Sequence, residues 1–102
     1  MPSIEQLTKL LAAEPNDAFL LYGLAQEYAK ASNTASACEY FDRCIAVDPK
    51  YCYAYYHKAK ALIAAGRTDE ARAVIAVGKN AALAAGDSHA RSEIMALEYD
   101  ID

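Results

Sequence analysis

Two histidines and three cysteines are the side chains of this 102-residue chain with the widest scope for covalent or acid–base chemistry. Nucleophilic catalysis needs a base within hydrogen-bonding reach of the nucleophile. Cys52 and His57 are close in sequence, but on a helix they lie roughly 140° apart around the axis. Asp69 and Glu70 fall at a predicted helix start, where the helix dipole accounts for them without acid–base work. No phosphate-binding loop or G-x-S-x-G motif is present, so the sequence predicts a protein that is not an enzyme.

The cysteines also lack the spacing of a metal site or a disulfide framework. Cys38, Cys44 and Cys52 are odd in number, form no C-x-x-C motif and have no pair of histidines nearby. We therefore expect no bound metal and no cofactor. The three thiols are interpreted as small apolar side chains of a reducing compartment.

A different set of residues could support recognition rather than catalysis. Aromatic and polar side chains follow each other at i, i+3, i+7, i+10 and i+14, and the same spacing recurs 34 residues later. The two stripes are Phe19, Tyr22, Gln26, Ala29 and Asn33, then Tyr53, Tyr56, Lys60, Ile63 and Arg67. Rigid aromatic rings supply contact area, while the amide and the cations could orient peptide carbonyls or carboxylates.

The composition limits which partners are plausible. Apolar residues make up 55% of the chain and charged residues 24%, which is typical of a folded globular domain. A net charge of −4 disfavours nucleic acid and anionic membranes, which attract concentrated basic surfaces. The N-terminal residues lack a basic segment followed by an apolar run, and no stretch approaches 18 apolar residues. We therefore expect a cytoplasmic protein that binds neither nucleic acid nor membrane.

Periodicity and breaking residues predict six helices that position the stripes. The predicted ranges are 3–14, 17–31, 35–47, 51–65, 68–84 and 88–99. Ser3 with Gln6 forms a capping box, whereas Thr34, Thr68 and Ser88 are expected to cap later helices. Asn33 is expected to take a left-handed conformation. The intervals between helices are short, so consecutive helices must pack antiparallel in an all-α fold.

A pattern of small and large apolar residues occurs twice along these helices, 34 residues apart. The first copy holds Leu21, Leu24, Ala25, Tyr28, Ala37, Phe41 and Pro49, and the second holds Tyr55, Lys58, Ala59, Leu62, Ala71, Ile75 and Leu83. This period is typical of stacked helical hairpins, which usually hold another chain. The alanines occur where paired helices must approach closely.

These residues resemble the tetratricopeptide repeat (TPR) family, in particular a small stand-alone bacterial-type TPR domain. The second copy departs from the family pattern at Lys58, where leucine is usual, and at Leu83, where proline is usual. The resemblance implies a right-handed alpha-alpha superhelix of antiparallel hairpins. Residues 1–102 would form one domain, with a half repeat at 1–15, repeats at 18–51 and 52–85, and a capping helix at 88–99.

In this family the two stripes line a concave groove that accepts extended peptides or helices. The resemblance therefore implies a non-catalytic scaffold for protein–protein interaction that binds a peptide or protein segment in that groove. The candidate groove residues are Phe19, Tyr22, Gln26, Lys30, Asn33, Tyr53, Tyr56, Lys60, Ile63 and Arg67. The pair Lys60 and Arg67 favours acidic peptides.

Two alternatives to peptide binding remain open at this point. The aromatic face, or the open end of an incomplete repeat, could join two copies into a homodimer. The stripe could instead be structural, with the groove filled by the C-terminal helix. One TPR subtype grips a C-terminal carboxylate with lysines and asparagines, but Tyr22, Gln26 and His57 occupy the corresponding places here, so that clamp is not expected.

Overall fold

A computed structural model describes residues 2–101 of the chain. Six α-helices follow one another, and the predicted all-α class, a right-handed superhelix of antiparallel hairpins, is confirmed. The helices are α1 (Ile4–Ala13), α2 (Ala18–Lys30), α3 (Thr34–Val47), α4 (Cys52–Ala64), α5 (Thr68–Ala85) and α6 (Ser88–Ala96). The final predicted helix is shorter than expected, because Leu97–Asp100 forms a 3₁₀ turn instead.

The helix starts are set by side-chain caps, one of which differs from the sequence expectation. The predicted capping box of Ser3 and Gln6 is present at α1. At α3, Asn33 rather than Thr34 is the cap, and its side-chain oxygen accepts a hydrogen bond from the Ser36 N–H at 3.2 Å. The left-handed residue of that turn is Ser32, with φ 59°, so the expected roles each move one residue towards the N-terminus.

The caps of α5 and α6 move in the same direction. Asp87 rather than Ser88 caps α6, and its carboxylate accepts from the Ala90 N–H at 2.9 Å. Arg67 precedes α5 without a side-chain capping bond, and Thr68 is already the first helical residue. Capping side chains must reach the second or third free N–H of a helix, so one residue of difference in the turn changes which side chain can do so.

One turn geometry closes three of the connections. Ser32, Gly66 and Gly86 all have positive φ, and each donates its N–H to the carbonyl three residues before it. The next residue in each turn donates to the carbonyl five residues before it. These bonds satisfy the free carbonyls at a helix end. Helix α5 reaches this turn late, because Leu83 stands where proline would stop a helix.

The core is built by the faces that the 34-residue pattern predicted. Leu21, Leu24 and Phe41 are almost fully buried between α2 and α3, and Leu62 and Ile75 between α4 and α5. The four small residues predicted at the helix contacts, Ala25, Ala37, Ala59 and Ala71, are each 0% exposed. Close approach of the paired helices is therefore confirmed, since no solvent reaches these alanines.

The helices lie in an inner and an outer row. Helix α4 packs against both α2 and α6, whereas α3 and α5 do not approach each other. The first helix of each hairpin thus lies on the inside of the curve, and the second helices spread apart on the outside. We call the surface of α2, α4 and α6 the inner face.

Candidate functional site

The inner face contains an open cavity of about 310 Å³ between α2 and α4. We call it the inner cavity. Its lining residues are Gln26, Ala29, Lys30, Phe41, His57, Lys60 and Ala61. Phe41 belongs to the buried core, while the lysines, the amide and the imidazole supply the polar groups. An apolar base with a few converging polar groups is typical of a ligand-binding cavity.

An aromatic cluster lies beside this cavity, with His57 at its centre. The imidazole centroid is 5.7 Å from the ring of Tyr22, 6.5 Å from that of Tyr53 and 4.9 Å from that of Tyr56. Tyr22 in turn lies 4.9 Å from Tyr51, measured between ring centroids. These packed rings keep the helices α2 and α4 in a fixed relation, so the cavity wall is rigid.

The environment of His57 favours its neutral form. Burial lowers the pKa of His57, and the positive charge of Lys60 lowers it further. The carboxylate of Glu93 on α6 acts in the opposite direction and is the smaller influence. Near neutral pH, His57 therefore presents a neutral imidazole, which can donate one hydrogen bond and accept another.

The tyrosines of the cluster also remain protonated. Burial raises the pKa of Tyr22, and the adjacent Gln26 side chain partly opposes that effect. Burial raises the pKa of Tyr51 to about 12. Neutral hydroxyls can both donate and accept, so the cluster offers polar contacts without adding charge.

Lys60 is the cation of the inner cavity with the fewest internal partners. Its ammonium lies 5.5 Å from the centroid of the Tyr56 ring, and within residues 2–101 it forms no salt bridge. Lys30 is partly neutralised, because its ammonium lies 3.1 Å from the Glu27 carboxylate. Lys60 can therefore offer its charge to a ligand.

The structure brings together six of the ten residues that the sequence singled out. Gln26, Lys30 and Lys60 line the inner cavity, and Tyr22, Tyr53 and Tyr56 surround His57 beside it. Helix α6 contributes no lining residue, so it leaves the space between α2 and α4 open and lies against the other side of α4.

The remaining four residues lie elsewhere. Phe19 is 71% exposed at the start of α2, and Ile63 packs partly buried against the core of the second hairpin. Asn33 is the cap of α3. Arg67 forms an ion pair with Glu70 and faces an outer cavity between α3 and α5. The structure thus separates Arg67 from Lys60.

His57 and Tyr51 are the members of the cluster that sequence reasoning did not include. His57 lies four residues after Tyr53 and three before Lys60, which is the spacing of neighbours on one helical face. That signal was available in the sequence. Tyr51 precedes α4 and reaches Tyr22 only through the fold of the turn, so no local pattern indicates it.

The outer side of the second hairpin explains the unusual Lys58. Its ammonium lies 2.6 Å from the Asp42 carboxylate on α3, between two outer cavities of about 260 and 360 Å³. Lys58 also spans this space with its aliphatic stem, since only 19% of its side chain is exposed. The family's usual leucine is thus replaced here by an ion pair.

The thiols do not form a reactive centre. Cys44 and Cys52 are buried as expected, and Cys38 is half-buried at the wall of the larger outer cavity. Burial raises the pKa of all three, and that of Cys44 to about 11. Since the thiolate is the nucleophile, these cysteines are unreactive at neutral pH.

Two further surveys cover residues 2–101. In that range no three His, Cys, Asp or Glu side chains gather where they could hold a metal ion. The helices of the same range are also too short or too polar to cross a membrane.

Comparison with known proteins agrees with this architecture. The tetratricopeptide repeat family profile matches residues 28–90. A TPR repeat-containing protein from Pseudomonas aeruginosa is 34% identical over 99 residues, which are 97% of this chain and 94% of that protein.

Solved structures share the fold as well. A tetratricopeptide repeat domain protein from Salinibacter ruber is 33% identical; its crystal structure aligns with a TM-score of 0.73 over 83% of this chain and 94% of that one. The solution structure of a Bordetella parapertussis protein aligns with a TM-score of 0.84 over 99% of this chain and 88% of that one, at 24% identity, and shows the fold alone. Together, the profile match, the identity to the Pseudomonas protein and the observed helical hairpins establish that this chain belongs to the tetratricopeptide repeat family.

Proposed function

We propose that this protein is a non-catalytic adaptor that binds a peptide or protein segment on its inner face. Members of the TPR family generally mediate protein–protein interaction. The observation that carries the proposal is the open inner cavity, where Lys60 and Gln26 face solvent above an apolar base. The cytoplasmic location expected from the sequence remains part of this proposal.

The repeat boundaries are proposed on the same basis. Residues 1–15 form a half repeat, 18–51 and 52–85 two repeats, and 88–99 the capping helix. The recurring turns at Ser32 and Gly66 support the division between the helices of each repeat, and the paired turns after Asp48 and Glu14 support the boundaries between them.

The preference for acidic ligands now rests on different residues. Arg67 faces the outer cavity, so Lys60, assisted by Lys30, supplies the positive charge of the inner cavity. A peptide carboxylate placed there would gain a charge-assisted hydrogen bond.

A displayed peptide library tests this proposal. Peptides selected on the natural protein are labelled, and their dissociation constants are measured by fluorescence anisotropy against Lys60→Glu and Lys9→Glu. We expect Lys60→Glu to weaken binding by about tenfold or more, because repulsion replaces attraction. Lys9 lies exposed on α1 and makes the same change of charge outside the inner face, so Lys9→Glu should bind within about twofold of the natural protein. Equal loss in both variants, or selected peptides that ignore Lys60→Glu, would refute the assignment.

Self-association is a second candidate, favoured by one observation. Phe19 leaves 71% of its surface exposed at the edge of the inner face, and large exposed aromatic rings are enriched at interfaces. Sedimentation velocity at dilute and concentrated protein, repeated with Phe19→Ser, tests it. A dimer that Phe19→Ser dissociates supports this candidate, whereas a monomer at all concentrations removes it.

A further inference from the structure

The inner face has two furrows of opposite charge, and this property deepens the proposed function on which it rests. The first furrow, between α2 and α4, is the inner cavity with Lys30 and Lys60. The second lies between α4 and α6. Its charged groups are the carboxylates of Glu93 and Asp87, which both raise the pKa of Tyr53 on α4.

His57 marks the boundary between the furrows. Lys60 and Glu93 are the charged groups that act on its imidazole, with opposite effects on its pKa. Around it, α2 supplies Tyr22 and α4 supplies Tyr53 and Tyr56, which are neutral rings. Since His57 itself is neutral near pH 7, it leaves the polarity of the face to Lys60 and Glu93.

Glu93 is the carboxylate best placed to meet a ligand. Asp87 already accepts a hydrogen bond from the Ala90 N–H at the start of α6. Glu93 lies 2.8 Å from His89, a neighbour on the exposed side of α6, and 38% of its side chain is accessible. A carboxylate has about four lone-pair sites, so Glu93 can accept a further donor from a bound cation.

The spacing of the two furrows matches one peptide conformation. Packed helices lie about 8–10 Å apart, which is the distance between neighbouring furrows. A polyproline II strand has three residues per turn and rises about 3.1 Å per residue, so its residues i and i+3 project to the same side about 9 Å apart. In that conformation two side chains three residues apart can enter the two furrows together.

We propose that the inner face selects an extended, polyproline II segment that carries one acidic and one basic residue three positions apart. The acidic side chain enters the cavity at Lys60, and the basic side chain enters the furrow at Glu93. A segment with two like charges at these positions places one of them against its own sign, which costs binding energy. The face thus recognises a pattern of charges rather than acidity alone.

Three labelled peptides that differ only in the two charged positions test this proposal. Their cores are Glu-Pro-Pro-Lys, Glu-Pro-Pro-Glu and Lys-Pro-Pro-Lys, and binding is measured by fluorescence anisotropy at about physiological salt. We expect the mixed peptide to bind about two- to fivefold more tightly than either like-charged peptide, the range expected of one exposed ion pair. The preference should shrink in about 0.5 M salt because the charges are screened.

Two isosteric variants assign the preference to its residues. With Glu93→Gln, the mixed peptide and Glu-Pro-Pro-Glu should bind equally; with Lys60→Gln, the mixed peptide and Lys-Pro-Pro-Lys should bind equally. Thermal melts check that both variants remain folded. The reverse core, Lys-Pro-Pro-Glu, reports the direction in which the segment lies.

The outcomes separate this inference from the function it rests on. Equal binding of all three peptides, no binding of any of them, or a preference that survives Glu93→Gln overturns the charge pattern. If peptides selected from the library still depend on Lys60 in that case, the inner face remains a binding site. If those peptides also fail to depend on Lys60, both proposals fall.

Discussion

The hairpins α2–α3 and α4–α5 follow one backbone plan but fill it with different side chains. Where the first hairpin has Leu21 and Cys44, the second has Tyr55 and Gly78 at the positions 34 residues later, and all four are buried. A Cβ atom added to Gly78 would lie 2.8 Å from the Cβ of Tyr55. The larger ring on α4 is thus accommodated by the missing side chain on α5. Repetition here maintains the combined volume of a pair rather than the identity of either residue.

A second difference concerns charge. Leu24 is 0% exposed in the first hairpin, whereas its counterpart Lys58 reaches the outer cavities and pairs with Asp42. The position equivalent to Asp42 is Thr8, which carries no charge. A lysine is therefore compatible with the second hairpin but not with the first, because only the second provides both solvent access and an opposite charge.

Exchanging these two residues gives the largest expected effect. Leu24→Lys should lower the free energy of unfolding by about 3–5 kcal/mol, since it buries a charge without a partner. Lys58→Leu should remain within about 1 kcal/mol of the natural protein, because Asp42 is exposed enough to be hydrated alone. Urea denaturation followed by circular dichroism measures both. Similar losses for the two variants would mean that the hairpins do not differ in this respect.

The volume exchange predicts the next largest effect. Gly78→Ala should cost about 1–2 kcal/mol, because the new methyl group collides with Tyr55. Gly23→Ala is the matched control on α2, where an added Cβ would lie 3.8 Å from the nearest atom, a Leu7 methyl group, and should stabilise by about 0.5–1 kcal/mol. Thermal unfolding of the two variants should shift in opposite directions. Adding Tyr55→Leu to Gly78→Ala should remove the penalty of the alanine; if it does not, the pair is not coupled.

The turns that join the two helices of each hairpin predict a smaller difference. Asn33→Ala should cost about 1 kcal/mol, since it removes the side-chain acceptor for the Ser36 N–H. Arg67→Ala should cause no measurable loss, because Arg67 forms an exposed ion pair and no capping bond. Arg67→Asn should stabilise the protein by adding the missing cap. Urea midpoints rank the three variants, and a loss for Arg67→Ala as large as that for Asn33→Ala would contradict the assigned roles.

The smallest expected effect is a dependence on pH that belongs to the second hairpin alone, since Gly23 stands where His57 would be. The folded-state pKa of His57 lies below its ordinary value near 6.5, so the unfolded chain binds more protons as the solution is acidified. The stability contributed by neutral His57 is therefore present above that value and decreases as the pH falls through the folded-state pKa. Lys60 and Glu93, the charged groups facing it, remain in place in the test variant.

The measurement compares melting temperatures at about pH 7.5 and about pH 5.5 for the natural protein and His57→Gln. Carboxylates contribute to both proteins alike, so the difference between the two shifts isolates the imidazole. The natural protein should lose more on acidification. An equal or larger loss in His57→Gln would show that burial does not disfavour the charged imidazole.

Much of the fold was predictable because its signals are local. The six helices, the capping box of Ser3, the positive φ of Gly66 and the burial of Ala37 follow from spacing and residue type. The errors were confined to single residues in turns, such as the cap at Asn33. Two neighbouring polar residues can satisfy the same free N–H groups, so the sequence does not decide between them.

The candidate site was less predictable. The stripe correctly brought Gln26 and Lys60 to one cavity, because a 34-residue repeat returns equivalent positions to the same face. It misplaced Arg67 relative to Lys60, since the helix ends before Arg67 and the turn directs the chain towards the outer row. Periodic spacing holds only inside a helix.

The sequence by itself determined the helices, their period and the buried stripe, because hydrogen bonding within a helix and the burial of one face depend on residues a few positions apart. The tertiary structure decided which side chains meet across helices. Tyr22 and His57 come into contact 35 positions apart, and Gly78 admits Tyr55 only through the approach of α5 to α4. Those contacts depend on the distance and angle between packed helices, to which every side chain in the interface contributes.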